Sequence, residues 1–460
     1  MTAELPPLYL PVETAARELD AKLLLALFAV EAGLPVVLGN RAAMNLAIHR
    51  FAPGVYLSHN FDRGRRRILE IVDRLGHRVV AWDEEGFVWL DPASYRRRRV
   101  ATRTLRHIDT IFAWGADHVA ALDPVTGPMP VEIVALGNPR ADLLGPRFRK
   151  LYEERAGRLR AELGPFILIN SNFGWLNYAL GRGDPVARSA RELAAIAQKS
   201  RHPEGYIRHK YAIFRAFVAL LPSLARTYGD RTIVVRPHPS EDHGAWVRAA
   251  EGLDNVVVRF DDELVAWLLA ADVMVHNACT TAVESALLGR ASIMYRPIDG
   301  GPFEPPQPLA VSIEASTEAE LFQAIDAADR HAGLPRQVQA SLERYVAGLH
   351  DGLAAERIAD AVAALAGRRK KNNAANRGLG VLQSRLRGLE KSLRRYSAAS
   401  PSNPAYIAQK FPPMTVGELT GRAGRLAQFL DMPVPAIAEV GDRIFTLDKA
   451  APAGPAYEPD

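Results

Sequence analysis

The stretch Asp272-Val-Met-Val-His276-Asn-Ala-Cys-Thr280-Thr281-Ala-Val-Glu284-Ser-Ala-Leu-Leu-Gly289 reads as a strand, a tight turn and a helix. Its apolar run up to His276 has the continuity of a strand buried on both faces. Strand, turn and helix in that order are half of a crossover unit, which belongs to a parallel sheet covered by helices.

The alternation continues outward from this stretch. Upstream, strands are expected at Leu8–Pro11, Pro35–Leu38, Val55–Ser58, Arg78–Trp82, Thr110–Ala113 and Glu132–Leu136. After Gly164 they are expected at Phe166–Asn170, Thr232–Arg236, Asn255–Val258, Asp272–His276 and Ser292–Tyr295. Helical patterns separate them, among them Thr14–Ala32, Arg65–Leu75, Tyr211–Tyr228 and Thr281–Leu288. A charged helix, Pro146–Leu163, parts the two sets of strands. The expected fold class is therefore α/β, with two doubly wound parallel-sheet domains facing a cleft, residues 1–160 and 161–366. A third region, 367–460, is a helical basic C-terminal extension with a tail.

Composition agrees with a globular chain. Of 460 residues, 48% are hydrophobic and 24% charged, which excludes a disordered polymer. The single cysteine, Cys279, excludes a disulfide framework and a multi-thiolate metal site. Met1–Val12 lacks a basic segment followed by an apolar run, and Leu23–Val30 is much shorter than the ~20 residues of a spanning helix. A cytoplasmic protein is expected.

The formal charge is +5, but Arg368–Arg395 holds ten Lys/Arg against Glu390 alone, leaving the rest of the chain at −4. A slightly negative body argues against nucleic acid as a partner, and a local basic strip argues for one anionic contact. Within it Leu382, Leu386, Leu389 and Leu393 share one helical face, flanked by Arg385, Arg387, Lys391 and Arg394. A basic amphipathic helix over 379–395 either lies on an anionic membrane, making the protein peripheral on the inner face of the plasma membrane, or docks its leucines on the body or on a second copy.

Five turns carry candidate chemistry. Thr280 and Thr281 open a helix whose free N–H groups suit a phosphate, with Glu284 one turn inside toward a ribose; plain N-capping is the alternative. Arg236-Pro237-His238-Pro239-Ser240 follows a strand, and prolines fix the approach of the imidazole; it donates to a phosphate oxygen or caps a surface turn. Asp83-Glu84-Glu85-Gly86 ends another strand. Three crowded carboxylates raise at least one pKa toward proton transfer, unless the turn is simply solvated. Gly137-Asn-Pro-Arg140-Ala-Asp142 follows the last strand of the first domain, and Asn170-Ser-Asn172 the first strand of the second. Arg17-Glu-Leu-Asp20 on the first helix is a weaker candidate, with an intrahelical ion pair as the alternative. Asp261-Asp262-Glu263 reads as helix-start acid rather than a metal site.

Together, Arg17-Glu-Leu-Asp20, Asp83-Glu-Glu-Gly86, Gly137-Asn-Pro-Arg-Ala-Asp142, Arg236-Pro-His-Pro239 and His276-Asn-Ala-Cys-Thr-Thr281 with Glu284 resemble the bacterial surface carbohydrate biosynthesis proteins, which look like GT-B glycosyltransferases. The likeness spans about Leu8 to Leu365. More distantly, the acidic turn and the His-Pro pair are similar to CMP-sugar-dependent Kdo transferases and sialyltransferases. The resemblance implies a cytoplasmic glycosyltransferase of capsule or lipopolysaccharide synthesis. It would move an acidic sugar, such as Kdo or another nonulosonate, from a CMP donor to a glycan or lipid-linked acceptor, without a cofactor or a metal. Glu84 or Glu85, beside Asp83, would be the acid/base. His238, Thr280 and Thr281 would hold the donor phosphate and Glu284 or Asn277 the ribose, with Arg236, Pro239, Asn172 and Arg140 around them. The alternatives are a UDP-sugar or CDP-glycerol enzyme, transferase or epimerase, and a non-catalytic, membrane-docked assembly protein.

Overall fold

The computed structural model describes residues 5–126, 129, 131–177, 184–200, 202–260, 264–328, 333–368, 370, 372–394 and 403–449. Asp261, Asp262 and Glu263, the basic residues Arg369, Lys371 and Arg395, and the chain end from Ala450 lie outside them. The chain divides into two compact units. Unit 1 comprises Met1–Phe87, Pro92–Leu143 and Glu343–Asp460, and unit 2 Val88–Asp91 and Leu144–Leu342.

Unit 1 is built on β1 (Leu8–Val12), β2 (Val36–Asn40), β3 (Val55–Ser58), β4 (Arg78–Ala81), β5 (Thr110–Ala113) and β6 (Glu132–Ala135), all parallel, in the order β2-β1-β3-β4-β5-β6. Unit 2 carries β7 (Phe166–Asn170), β8 (Thr232–Arg236), β9 (Val256–Val258), β10 (Val273–His276), β11 (Ser292–Tyr295) and β12 (Ile313–Ala315) in an all-parallel sheet ordered β12-β11-β10-β7-β8-β9. The doubly wound reading therefore holds in both units. Strand order reverses between β1 and β3 in unit 1 and between β7 and β10 in unit 2. Beyond such reversals, at the carboxyl ends of the strands, open α/β sheets bind their ligands.

The boundaries differ from the expected 1–160 and 161–366. The helix Lys150–Leu163 belongs to unit 2, because its apolar residues Ala156 and Leu159 pack with Phe166, Leu168 and Trp267. The helix Ala354–Ala366 belongs to unit 1, where it packs along the helix Ala15–Glu31. Asp142 caps it by accepting from the N–H groups of Ala354 and Ala355 at 2.9 and 2.8 Å.

Region 367–460 is not a separate extension; its described residues pack within unit 1. Here β13 (Ala436–Gly441) and β14 (Ile444–Asp448) form a hairpin, and β14 runs antiparallel to β2 at the sheet edge. Gly39 admits it, since a Cβ there would lie 2.2 Å from the Arg443 carbonyl oxygen. The basic helix runs over Ala374–Arg394 and lies on the helix Arg66–Arg74, with Gly380 against Arg74 and Leu75. Its buried face is thus Gly380 and Ser384, and the leucines point to water, with Leu389 64% and Leu393 79% exposed. Docking of the stripe on the body is overturned. Small residues allow a close approach there and long ones do not.

Candidate functional site

In unit 1 the acidic turn follows β4, and its three carboxylates have three different fates. Asp83 is fully buried. It accepts from Arg99 through both oxygens, from the Tyr95 hydroxyl at 3.0 Å and from the Glu85 N–H at 3.0 Å. Burial alone would raise its pKa, but the Arg99 bonds outweigh this and hold it below the usual range. Asp83 is therefore a structural clamp and is withdrawn from the catalytic set.

Glu84 is buried, with Trp82 Nε1 donating to Oε1 at 2.8 Å and Oε2 without a hydrogen-bond partner. Its pKa is raised, first by burial and then by the charge of Glu18, against the pull of Lys22 and Arg140. Crowding within the turn is not the cause. Glu85 is half exposed and pairs with Arg17. Gly86 is required by packing, since a Cβ there would stand 2.7 Å from the His118 ring.

Three quoted motifs meet here. On the helix Ala15–Glu31, Glu18 is buried and accepts from Lys22 Nζ at 2.7 Å, while that ammonium also donates to the Pro11 carbonyl and lies 3.6 Å from Glu84 Oε1. Arg140 donates to the Glu84 carbonyl at 3.1 Å and approaches its Oε2 at 3.7 Å. Arg140 was expected with the nucleotide residues; it belongs to the acidic turn instead, at the start of a short helix capped by Asn138. Lys22 was missed. Its signal is a cation on the apolar side of a helix, among Leu19, Leu23 and Leu25.

In unit 2 the loops after β7, β8 and β10 meet at the reversal point. The Asn277 side-chain amide donates to the Asn172 carbonyl at 3.2 Å, and its Oδ1 has no partner. Asn170 donates to the Thr281 hydroxyl at 2.9 Å and accepts from Arg236 at 3.4 Å. Thr281 is buried; its oxygen accepts from Asn170 and its hydroxyl bonds to the Cys279 thiol, so it positions the loop. Thr280 is exposed and makes no side-chain cap bond. The helix it opens, Thr281–Leu287, is short, and Glu284 on it is half-buried. Ala278, in the turn between Asn277 and Thr280, has φ 62°, a strained conformation for a residue with a Cβ.

His238 is exposed beside Pro239. The Ser240 N–H donates to Nδ1 at 3.2 Å and the Ser240 hydroxyl lies 2.8 Å from the same atom, which leaves the ring proton on Nε2. Two further residues organise these loops. Buried Glu241 accepts from the Ser171 hydroxyl, the Phe173 and His238 N–H groups and Trp246 Nε1. Buried Lys210 donates to the Asn277 carbonyl at 3.2 Å, and burial lowers its pKa. Lys210 stands on the apolar stripe of the helix Glu204–Thr227, among Ile207, Ile213 and Phe214; that misplaced charge was its signal. His276 is fully buried, accepts from the Ala278 N–H and lies 2.9 Å from the Ser312 hydroxyl, a structural role. Among the described residues no group of three or more His, Cys, Asp or Glu is placed to hold a metal ion.

No family model and no curated protein matches the chain. Among solved structures, a Listeria monocytogenes protein assigned as a UDP-N-acetylglucosamine 2-epimerase matches with a TM-score of 0.51 at 12% identity, covering 81% of this chain and 99% of that one. The UDP-GlcNAc 2-epimerase of Neisseria meningitidis, bound to UDP-GlcNAc, gives 0.48 at 12% over 78% and 99%. A variant of the wall teichoic acid polymerase TagF gives 0.48 at 10% over 79% and 89%. At such identities what is shared is architecture: the chain is built on the two-domain, Rossmann-like plan found in GT-B enzymes.

Proposed function

We propose that the chain is a nucleotide-sugar-dependent glycosyltransferase of bacterial surface polysaccharide synthesis, in first place one using a CMP-linked acidic sugar. One observation carries this reading: segments scattered from Arg17 to Glu284 gather into two polar clusters at the carboxyl ends of parallel strands. Unit 2 binds the donor. His238 Nε2 and the Thr280 hydroxyl donate hydrogen bonds, and the buried ammonium of Lys210 supplies positive charge, to the departing phosphate, whose charge grows in the transition state. Asn277 Oδ1 and Glu284 are the acceptors for ribose hydroxyls. Unit 1 supplies the base. A carboxylate with a raised pKa accepts the acceptor's hydroxyl proton best near neutrality, and Lys22 and Arg140 then steady its charge.

Thermal melting with CMP, CDP and UDP tests the donor. A nucleotide should raise the melting temperature, and His238→Ala and Lys210→Met should abolish the rise. Glu84→Gln should keep the rise and lose transfer; loss only in Glu85→Gln would move the base to Glu85. No shift with any nucleotide at millimolar levels would overturn the reading. A preference for UDP would favour a UDP-sugar enzyme, a second reading that the fold shared with the Listeria epimerase supports. A preference for CDP would favour a CDP-glycerol enzyme. Full glycan production in cells carrying both glutamine variants would instead favour a non-catalytic assembly protein.

We further infer that the exposed leucine stripe of the helix Ala374–Arg394 rests on an anionic bilayer. Leu382, Leu386, Leu389 and Leu393 are all more than half exposed, and exposed Arg377, Arg385 and Arg394 on the same helix, with Arg50 nearby, complement acidic headgroups. Among the described residues no helix is long and apolar enough to cross a membrane.

A further inference from the structure

The reversal point of the unit 1 sheet holds a cavity of about 500 Å³. Glu13 follows β1, Arg41 follows β2 and His59 follows β3; Arg65 closes one side, and Arg387 and Lys391 of the helix Ala374–Arg394 close another. Four cations thus line a space of the size that takes a small ligand. The acids facing them are already engaged. Glu13 pairs with Arg41 at 3.1 Å, with Lys410 at 2.7 Å and lies 3.1 Å from His59. Asp62 accepts from the Gly64 N–H and from Asn60. Among the described residues no carboxylate forms an ion pair with Arg65, Arg387 or Lys391.

Three buried polar atoms on the lining lack a partner, His59 Nδ1, Asn60 Oδ1 and Arg65 Nε, and of these Arg65 Nε, on a side chain 7% exposed, is the donor that suits an anion. The cations are also held against their own electrostatics. Burial and then the charge of Arg65 lower the pKa of both Arg41 and Arg387, and burial and then Arg387 lower that of Lys391. Four like charges gathered with Arg41 alone paired to a carboxylate are costly unless an anion joins them. Guanidinium groups match phosphate oxygens in forked geometry.

We propose that this cavity is a binding site for a phosphomonoester or diphosphate group, distinct from the donor site of unit 2. On the functional reading above, which this inference deepens, the group is the phosphate of the acceptor. The cavity is linked to the base cluster through Glu13, whose N–H donates to Glu18 Oε2, itself bonded to Lys22. A phosphate held here anchors an acceptor beside the residues that would deprotonate it. The C-terminal helix thereby has two faces with two tasks, leucines to a bilayer and Arg387 with Lys391 to the ligand.

Calorimetric titration of the full chain with inorganic pyrophosphate tests this. Saturable binding is expected, weakened about tenfold or more in the double variant Arg387→Gln, Lys391→Gln and unchanged in His238→Ala. The same double variant should melt about 1–3 °C higher than wild type without ligand, because repulsion is relieved; an undocked helix would melt lower. It should also keep the nucleotide-induced rise, so failure here is distinguishable from failure of the donor reading. The proposal is overturned by absence of pyrophosphate binding, by equal binding in the double variant, or by loss in His238→Ala alone. Short-chain phosphatidic acid that displaces pyrophosphate would assign a lipid-borne phosphate; glycerol phosphate displacing it while the lipid does not would assign a soluble one.

Discussion

The ammonium of Lys22 lies 3.6 Å from the carboxylate of Glu84, with both side chains almost wholly out of water. Because Glu18 is also buried at 2.7 Å, one cation serves two carboxylates. Lys22→Met should cost about 3–5 kcal/mol, the range for stranding buried charge. The deficit should also depend on pH. Glu84 already titrates above its ordinary value, and losing Lys22 pushes it further up. A carboxylate with a folded pKa above the unfolded one binds more protons in the native state, so stability falls as pH rises through that window. Urea unfolding should show a larger deficit at pH 8 than at pH 5; a deficit independent of pH would refute the coupling.

Buried imidazoles set the opposite trend on the acid side. His59, His77 and His276 are pushed down to about 3 and His118 to about 4, in each case first by burial. The unfolded chain takes up these protons near pH 6.5, while the folded chain resists until about pH 3–4, so stability is lost as pH falls through that window. Asp142, raised by burial to about 6, works the other way between its unfolded value and pH 6. Together these five groups should take up about three protons on unfolding at pH 5. His77→Phe should remove about one of them, which urea melts across pH 4–7 would read from the slope.

The sequence located the strands well because they are buried on both faces and stand out as unbroken apolar runs. It missed β12 and β13, whose residues are largely exposed, and β14, where Thr446 interrupts the buried Ile444, Phe445 and Leu447. In the acidic turn, the sequence could not say which carboxylate stays available. Arg99 and Tyr95 decide that, reaching Asp83 from a helix that ends well beyond the turn. Glu18 and Lys22 have the spacing of a surface pair; burial between sheet and helix Ala354–Ala366 changes their meaning. The cavity combines β-strand ends with a helix more than 300 positions later, a juxtaposition that no local pattern encodes.

Two glycines separate packing from propensity. In Gly86→Ala the added carbon meets His118 at 2.7 Å and Asp83 at 3.0 Å, and the network around Asp83 must shift. The cost should be about 1–3 kcal/mol, with transfer impaired because Glu84 moves with the turn. Gly157, inside the helix Lys150–Leu163, has nothing within 4 Å of such a carbon, so Gly157→Ala should stabilise by about 0.5–1 kcal/mol. Denaturant melts of both variants check the pair of signs, and a neutral Gly86→Ala would mean the turn has slack.

The helix Ala374–Arg394 gives the last test. Leu386, Leu389 and Leu393 make no part of the body's core, so replacing all three by Ser should leave the melting temperature within about 1–2 °C of wild type. Each buried leucine contributes about 1.5–3 kcal/mol when taken out of water. Losing three at a bilayer should reduce sedimentation with phosphatidylglycerol vesicles by at least about tenfold. Arg385→Gln should weaken it less, and only at low salt, since headgroup attraction is screened within about 10 Å at 0.1 M. Sedimentation unchanged by the serine variant would remove the bilayer as occupant of this face. A concentration-dependent dimer abolished by the same substitutions would name a second copy in its place.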